Sequence, residues 1–397
     1  MSVLHRQLDV LRRWSLMLGA LLTLLMFVAR SVEAGLPQAE PESVGLDPQR
    51  LQRIDEIVAE GLTQNKMPGC VVCVGRHGKI AFLKAYGQNQ LLPSELPMTT
   101  DTVFDMASIT KPMATATSIM LLIEHSQLRL SDRVATLIPE FSVNDKDAIT
   151  IQDLLIHQSG LLADNPIADY ADGPETAMRR IFELKLLNPT GSKFVYSDVN
   201  FILLGEIVRR VSGKNVHEFS QEKIFRPLGM TATGYLPNQE LRTRAAPTEQ
   251  RDGKWMQGEV HDPRAFKLGG VAGHAGLFST AEDVAVYSQM MLGQGEFNGV
   301  RILSAETVAT MTRGSRVSNG VRGLGWDMRT AYSSNRGEAF SDAAFGHGGF
   351  TGTVLWIDPE LDLFFIFLSN RVHPNGKGLV NPLAGRIATA VASAIRK

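Results

Sequence analysis

Cysteine is nearly absent: two residues in 397, too few for the disulfide framework of a small stapled fold. Neither sign of charge dominates. Forty Lys and Arg face 41 Asp and Glu, for a net charge of −1 with no basic block, which argues against electrostatic binding to nucleic acid. The chain has no internal repeat and no low-complexity tract, and at 44% hydrophobic and 20% charged residues it is neither disordered, coiled-coil nor collagen-like. It also lacks a G-x-x-x-x-G-K-[ST] loop, an H-E-x-x-H pair and a G-x-S-x-G elbow. Those absences remove P-loop nucleotide hydrolysis, zincin proteolysis and the usual α/β-hydrolase layout. What remains is a folded globular chain that must be held by its core.

One long apolar run is present, Leu16 to Ala29, preceded by Arg6, Arg12 and Arg13 and ending in Val32-Glu33-Ala34. Its length of about 14 residues suits a signal-peptide core and falls short of the roughly 20 a bilayer span needs. Residues 1–34 therefore read as a signal peptide. The expected location is the periplasm or cell envelope, with a membrane tether only where the segment stays uncleaved. Cys70 and Cys73 lie in Pro68-Gly69-Cys70-Val71-Val72-Cys73-Val74, and that spacing invites a redox or zinc reading. The valines favour a strand, however, and three residues along a strand span about 10 Å, too far for a disulfide. A structural role is expected.

Asp47-Pro48 opens a helix carrying Leu51, Ile54, Val58 and Leu62, and a hairpin follows at 70–76 and 79–86. Helix-like segments fill the middle, at 114–124, 152–157, 200–211, 216–225 and 281–292. Strand-like runs at 350–357 and 363–368 turn at Asp358-Pro359-Glu360, and a last helix covers 379–395. The pattern predicts an α/β (α+β) fold. Residues 35–110 and 320–397 would form a discontinuous α/β domain, and 111–319 a mostly helical insertion, with the active site between them.

Ser108 and Lys111 stand three apart in Phe104-Asp105-Met106-Ala107-Ser108-Ile109-Thr110-Lys111, one turn from each other on a helix. A serine hydroxyl needs a base to become a nucleophile, and a lysine amine supplies one if its pKa falls. By itself the tetrapeptide is common by chance and reads more readily as a helix cap followed by a solvated lysine. Two further motifs change its weight: Tyr196-Ser197-Asp198 before the apolar helix at Phe201, and His347-Gly348-Gly349-Phe350-Thr351-Gly352 before the C-terminal hairpin. With them the chain resembles the serine β-lactamase and penicillin-binding-protein superfamily, which carries S-x-x-K, Y-x-N and K-T-G or H-x-G in this order. Val260-His261-Asp262, the run Gly269 to Ser279, and Ser369-Asn370-Arg371 resemble a narrower subgroup of penicillin-binding-protein-4B-type proteins and exo-acting muramoyl-L-alanine amidases.

The resemblance implies a β-lactamase/transpeptidase-like fold, an antiparallel sheet flanked by helices. It makes Ser108 the nucleophile, Lys111 its proton acceptor or orienter, and Tyr196 a second base. The N–H groups of Ser108 and Phe350 would form the oxyanion hole. Asp198, His347, Gly348, Gly349, His274 and Arg371 would contact substrate, with His347 on an edge strand. No cofactor and no metal is implied. His261, Asp262 and His274 are too scattered to suggest a metal site by spacing, and His157 reads as structural. Two departures stand out. Asp198 replaces the family's Asn, and a carboxylate accepts hydrogen bonds but donates none, so it would hold Lys111 charged. Gly348 replaces a hydroxyl, and a neutral His347 a charge, which disfavours β-lactams and D-Ala-D-Ala peptides unless Arg371 compensates. The expected function is an exported serine hydrolase forming an acyl-enzyme with a peptidoglycan-derived amide. The alternatives are a carboxylesterase, a β-lactamase or D-Ala-D-Ala carboxypeptidase, or an inactive binder of wall fragments.

Overall fold

A computed structural model describes residues 35–396; the segment read as a signal peptide lies outside the described residues. Within them, no helix is long and apolar enough to cross a membrane. Helix α1 (Arg53–Thr63) precedes a hairpin of β1 (Gly69–Arg76) and β2 (Lys79–Gln90), with β3 (Leu96–Pro97) beside it. His77 and Gly78 both take positive φ, 52° and 74°, the backbone a two-residue hairpin turn prefers. The middle of the chain contributes α2 (Thr117–Glu124), α3 (Asp198–Ser212) and α4 (Ala281–Leu292), among shorter helices. Then come β4 (Ser315–Val317), β5 (Gly320–Arg322), β6 (Asp327–Arg329), β7 (Phe345–Gly349), β8 (Thr353–Asp358) and β9 (Leu363–Ser369), and finally α5 (Asn381–Ser393).

These nine strands join one antiparallel sheet in the order β4-β5-β6-β7-β8-β9-β1-β2-β3, separate from the short strands of three small sheets. Early and late strands meet inside it as β1 and β9, where Cys70 pairs with Ser369 and Arg76 with Leu363. Both faces are covered, so the central strands are apolar throughout, and successive side chains go to opposite cores. Along β9, Leu363, Phe365 and Phe367 pack with Ile54, Val58, Ile387 and Val391 of α1 and α5. Phe364, Ile366 and Leu368 pack on the other side with Ile119, Leu203, Val284 and Tyr287 of the helical middle. Each such side chain contributes about 1.5–3 kcal/mol by burial. Cys70 and Cys73, free and buried, fall on opposite faces by the same alternation.

Three details differ from expectation. The run at 350–357 is not one strand: Gly349 to Gly352 form a tight turn, with the Gly352 N–H donating to Gly349 O at 3.0 Å, and Gly352 at φ 103°. The strand bearing His347 is not an edge either, because β6 lies beyond it. That pairing involves a single position, Asp327 with Gly346, so the His347–Gly349 end of β7 is open on that side. Lastly, Ser108 and Lys111 do not begin a regular helix. A 3₁₀ turn (Ala107–Ile109) passes into wide π turns (Lys111–Ala116) before α2, since Pro112 has no N–H to close an ordinary turn.

Candidate active site

Ser108 is presented by a braced, strained turn. Ala107 takes φ 45°, a region that costs a residue with a Cβ about 1–3 kcal/mol. Asp105 offsets that cost: its Oδ1 accepts the Ala107 N–H at 2.8 Å and its Oδ2 the His261 N–H at 2.7 Å. The turn is also tied to the sheet. Thr351 Oγ1 donates to Asp105 O at 2.7 Å and Thr353 Oγ1 to Met106 O at 3.1 Å. A Cβ on Gly349 would come within 2.6 Å of Met106 O, so only glycine lets β7 approach the nucleophile turn this closely. Phe350 follows at the rim, its ring stacked on His261 at 5.5 Å and under the Arg371 guanidinium at 4.5 Å.

The Lys111 ammonium is fully buried and shared. It donates to Ser108 Oγ at 3.0 Å and to His274 O at 3.0 Å, and ion-pairs with Asp198 Oδ1 at 2.6 Å. Burial by itself would push the ammonium down, but the Asp198 carboxylate and Tyr196 outweigh it and hold Lys111 above the usual lysine range. Burial likewise works against the Asp198 carboxylate, and the Lys111 ammonium, the largest opposing influence, keeps it below the usual range. Asp198 is the first residue of α3, capped by Ser197 Oγ accepting the Asn200 N–H at 3.2 Å, and the helix dipole favours its charge.

Tyr196 lies beside this pair, with the ammonium 5.1 Å from its ring centre. Its phenol is buried, and burial, only partly opposed by the Lys111 charge, pushes it up and keeps it protonated. His157, read as structural, turns out to position Tyr196. The rings lie 4.6 Å apart, and His157 Nδ1 accepts the Ser197 N–H at 3.0 Å. His347 is buried and neutral, pushed well down by burial and then by Arg322 and Lys111. Its Nδ1 donates to Gly348 O at 2.8 Å, which leaves an acceptor lone pair at Nε2.

These residues line one cavity of about 520 Å³. It gathers Ser108, Tyr196, Asp198, His274, His347, Gly348, Gly349, Phe350 and Arg371, every expected site residue except Lys111, which lies just beneath Ser108. The scattered Asp262 and His274 also converge there. Donor atoms of Asp198, Asp262 and His274 lie within 4.8 Å of one another, and the Lys111 ammonium already supplies the positive charge that this cluster favours. The reading from spacing passed over Arg322. It reaches the same wall from β5, fully buried, with no aligned hydrogen bond among the described residues. Among the described residues its sole ion pair is with Asp327 at 3.4 Å. Nothing in the local sequence, where Arg313 and Arg316 precede it and Arg329 follows, set it apart.

An antiparallel sheet covered on both faces, with a Ser–Lys pair on a strained turn at its rim, defines a serine-hydrolase architecture. Residues 54–390 match the family described as Beta-lactamase, and the chain belongs to that family of serine-type hydrolases. It is 32% identical over 373 residues to the N-acetylmuramyl-L-alanine amidase of Bacillus subtilis (strain 168), covering 84% of this chain and 83% of that protein. It is 33% identical over 390 residues to an Escherichia coli (strain K12) protein provisionally named a D-alanyl-D-alanine carboxypeptidase, covering 88% and 89%. Among solved structures, a penicillin-binding-protein homologue from Caulobacter crescentus superposes with a TM-score of 0.71 at 22% identity, over 88% of this chain and 99% of that one. The hydrolase EstCE1 gives a TM-score of 0.69 at 21% identity, over 88% and 99%. The fold is therefore that of the penicillin-binding proteins and β-lactamases.

Proposed function

We propose that this chain is an exported amidase of cell-wall fragments in which Ser108 is acylated by the amide and then released by water. The observation that carries the reading is the buried ammonium that touches the Ser108 hydroxyl and a carboxylate at once. As Ser108 Oγ attacks, its proton passes to Lys111 while Lys111 passes one to Asp198, so no net charge is created in the buried site. The neutral Tyr196 phenol donates to the departing amine and is refilled from the Lys111–Asp198 couple. The N–H groups of Ser108 and Phe350 would hold the oxyanion. A wall-derived amide is supported by the names of the relatives. An amide without a carboxylate beside the reacting carbonyl is supported by β7, whose neutral His347 presents a lone pair and whose Gly348 presents nothing. Export rests on residues 1–34 alone.

The test is direct. A fluorophosphonate should add mass to the Ser108 peptide, and Ser108→Ala should lose both labelling and hydrolysis of muropeptides. Labelling of Ser159 or Ser197 instead would sink the assignment. An intact, unlabelled Ser108 in a chain that still binds muropeptides would mean a binding protein on this fold.

A further inference from the structure

Hydrolysis of the acyl-enzyme is served most directly by a group with a vacant lone pair near the acyl carbonyl, and neither partner of Ser108 has one of its own at rest, Lys111 accepting a proton only by relay to Asp198. Lys111 is an ammonium with Asp198 beside it, and the Tyr196 phenol is buried and neutral. Two imidazoles on the cavity wall do have one. At His347 it is Nε2, on a ring flanked by the positive charges of Arg322 and Lys111, which make it a poor base. His274 has the opposite surroundings.

His274 stands in the glycine-rich loop Gly269–Gly276, pressed onto α3 so closely that a Cβ on Gly273 would come within 2.9 Å of Gly205 N. The ring is buried and lines the cavity that holds Ser108. Its Nε2 lies 2.9 Å from Asp262 Oδ1. Asp262 caps the short helix Pro263–Lys267 by accepting the Ala265 N–H at 2.7 Å, which together with His274 keeps it ionised. The proton of that contact therefore sits on Nε2, and Nδ1 is left without a partner among the described residues. One ammonium, Lys111, touches both the Ser108 hydroxyl and the His274 backbone carbonyl, so the backbone that carries the ring is tied to the nucleophile's partner, and both residues line one cavity. A carboxylate holding one nitrogen while the other stays vacant is the arrangement that makes histidine a directed base.

We propose that the His274–Asp262 pair is the deacylation base, a role that rests on the acyl-enzyme reading above. His274 Nδ1 takes a proton from the attacking water as its oxygen bonds to the acyl carbon. The imidazolium is stabilised by Asp262 and by Asp198, which lies within the same 4.8 Å cluster. The tetrahedral intermediate then collapses. The bond from carbon to Ser108 Oγ breaks, Oγ takes a proton from Lys111, and the acid product returns one to Lys111 as it leaves as a carboxylate. His274 sheds its proton to solvent.

The experiment is pre-steady-state hydrolysis of p-nitrophenyl acetate, with mass spectrometry of the Ser108 peptide. His274→Gln should retain a burst of one nitrophenolate per Ser108, lose steady-state turnover by roughly 10²–10⁴-fold and accumulate acetyl-Ser108. Asp262→Asn should show the same split to a smaller degree, and His347→Gln should not show it. If burst and steady state fall together in both His274→Gln and Asp262→Asn, or if steady state is unchanged, the dyad has no such role. Accumulation of acetyl-Ser108 in His347→Gln instead would move the base to that ring. Absence of any acetyl-Ser108 in the wild-type burst would overturn the acyl-enzyme reading itself, a separate outcome.

Discussion

At the scale of single residues, the Lys111–Asp198 pair has the largest consequences. Each partner ionises more readily for having the other. The contribution of Asp198, whose pKa is lowered, is present above about pH 3.9 and is lost as pH falls through its folded value. That of Lys111, whose pKa is raised, is present below about pH 10.4 and lost as pH rises through its folded value. The neutral range keeps both. Asp198→Asn should cost about 3–5 kcal/mol in chemical denaturation, because it strands a buried charge. It should also move the acid limb of the pH–rate profile upward. In the wild type that limb reports loss of the Asp198 carboxylate, held low, whereas in the variant Lys111 must itself lose a proton before it can accept one. A profile and rate identical to wild type would show that Asp198 is not coupled to the catalytic pair.

At the scale of elements, β7 sets what the cavity accepts. A β-lactam or a D-Ala-D-Ala peptide brings a carboxylate, and this strand meets it with a lone pair and an empty position. Losing a charged hydrogen bond costs about 1.5–3 kcal/mol, roughly 10- to 150-fold in selectivity. Nitrocefin turnover should accordingly be slow beside that of an ester or amide without the carboxylate, and rapid turnover would refute the argument. His347→Lys with Gly348→Thr should improve nitrocefin acylation, but it meets an obstacle visible only in three dimensions. A Cβ at 348 would lie 2.5 Å from Asn335 Nδ2, and Asn335 Oδ1 accepts the Trp356 N–H at 3.0 Å. The double variant should therefore lose about 1–3 kcal/mol from overpacking, and Asn335→Ser should restore part of the gain in acylation.

At the scale of the whole molecule, strands from residues 69–97 and 315–369 build one sheet, and the helical middle closes over its rim to leave the cavity. Arg322 sits at that junction, reaching from β5 to within 5.7 Å of the Phe194 ring, with Tyr196 and His347 as neighbours. A fully buried guanidinium with one 3.4 Å ion pair is expensive, and replacing such a pair by apolar groups of similar volume is often neutral or stabilising by about 1–4 kcal/mol. Arg322→Met with Asp327→Asn should consequently leave the denaturation midpoint unchanged or raised, while kcat/KM falls. A stability–activity trade of that sign is what a charge kept for function predicts. A large drop in stability would show the pair to be structural.

The sequence by itself determined the family, the sheet-and-helix class and the order of the three motifs, because those depend on local pattern. A run of β-branched residues such as Val71, Val72 and Val74 favours a strand, and Ser-x-x-Lys is one turn in any coil of three to four residues. Through the resemblance it also named Ser108, Tyr196, Asp198, His274 and His347 among the residues that line the cavity. Only the tertiary structure decided how those residues act on one another. Asp198, Asp262 and His274 come from three separate segments, so no spacing could announce their cluster. The strain at Ala107 and the π turns after Lys111 depend on Asp105 and the sheet bracing them from a distance. Whether β7 is an edge depended on β6, paired through one residue. Protonation was decided last, since a charge responds to burial and to neighbours in space. Lys111 is charged and His347 neutral because of which side chains the fold set beside each.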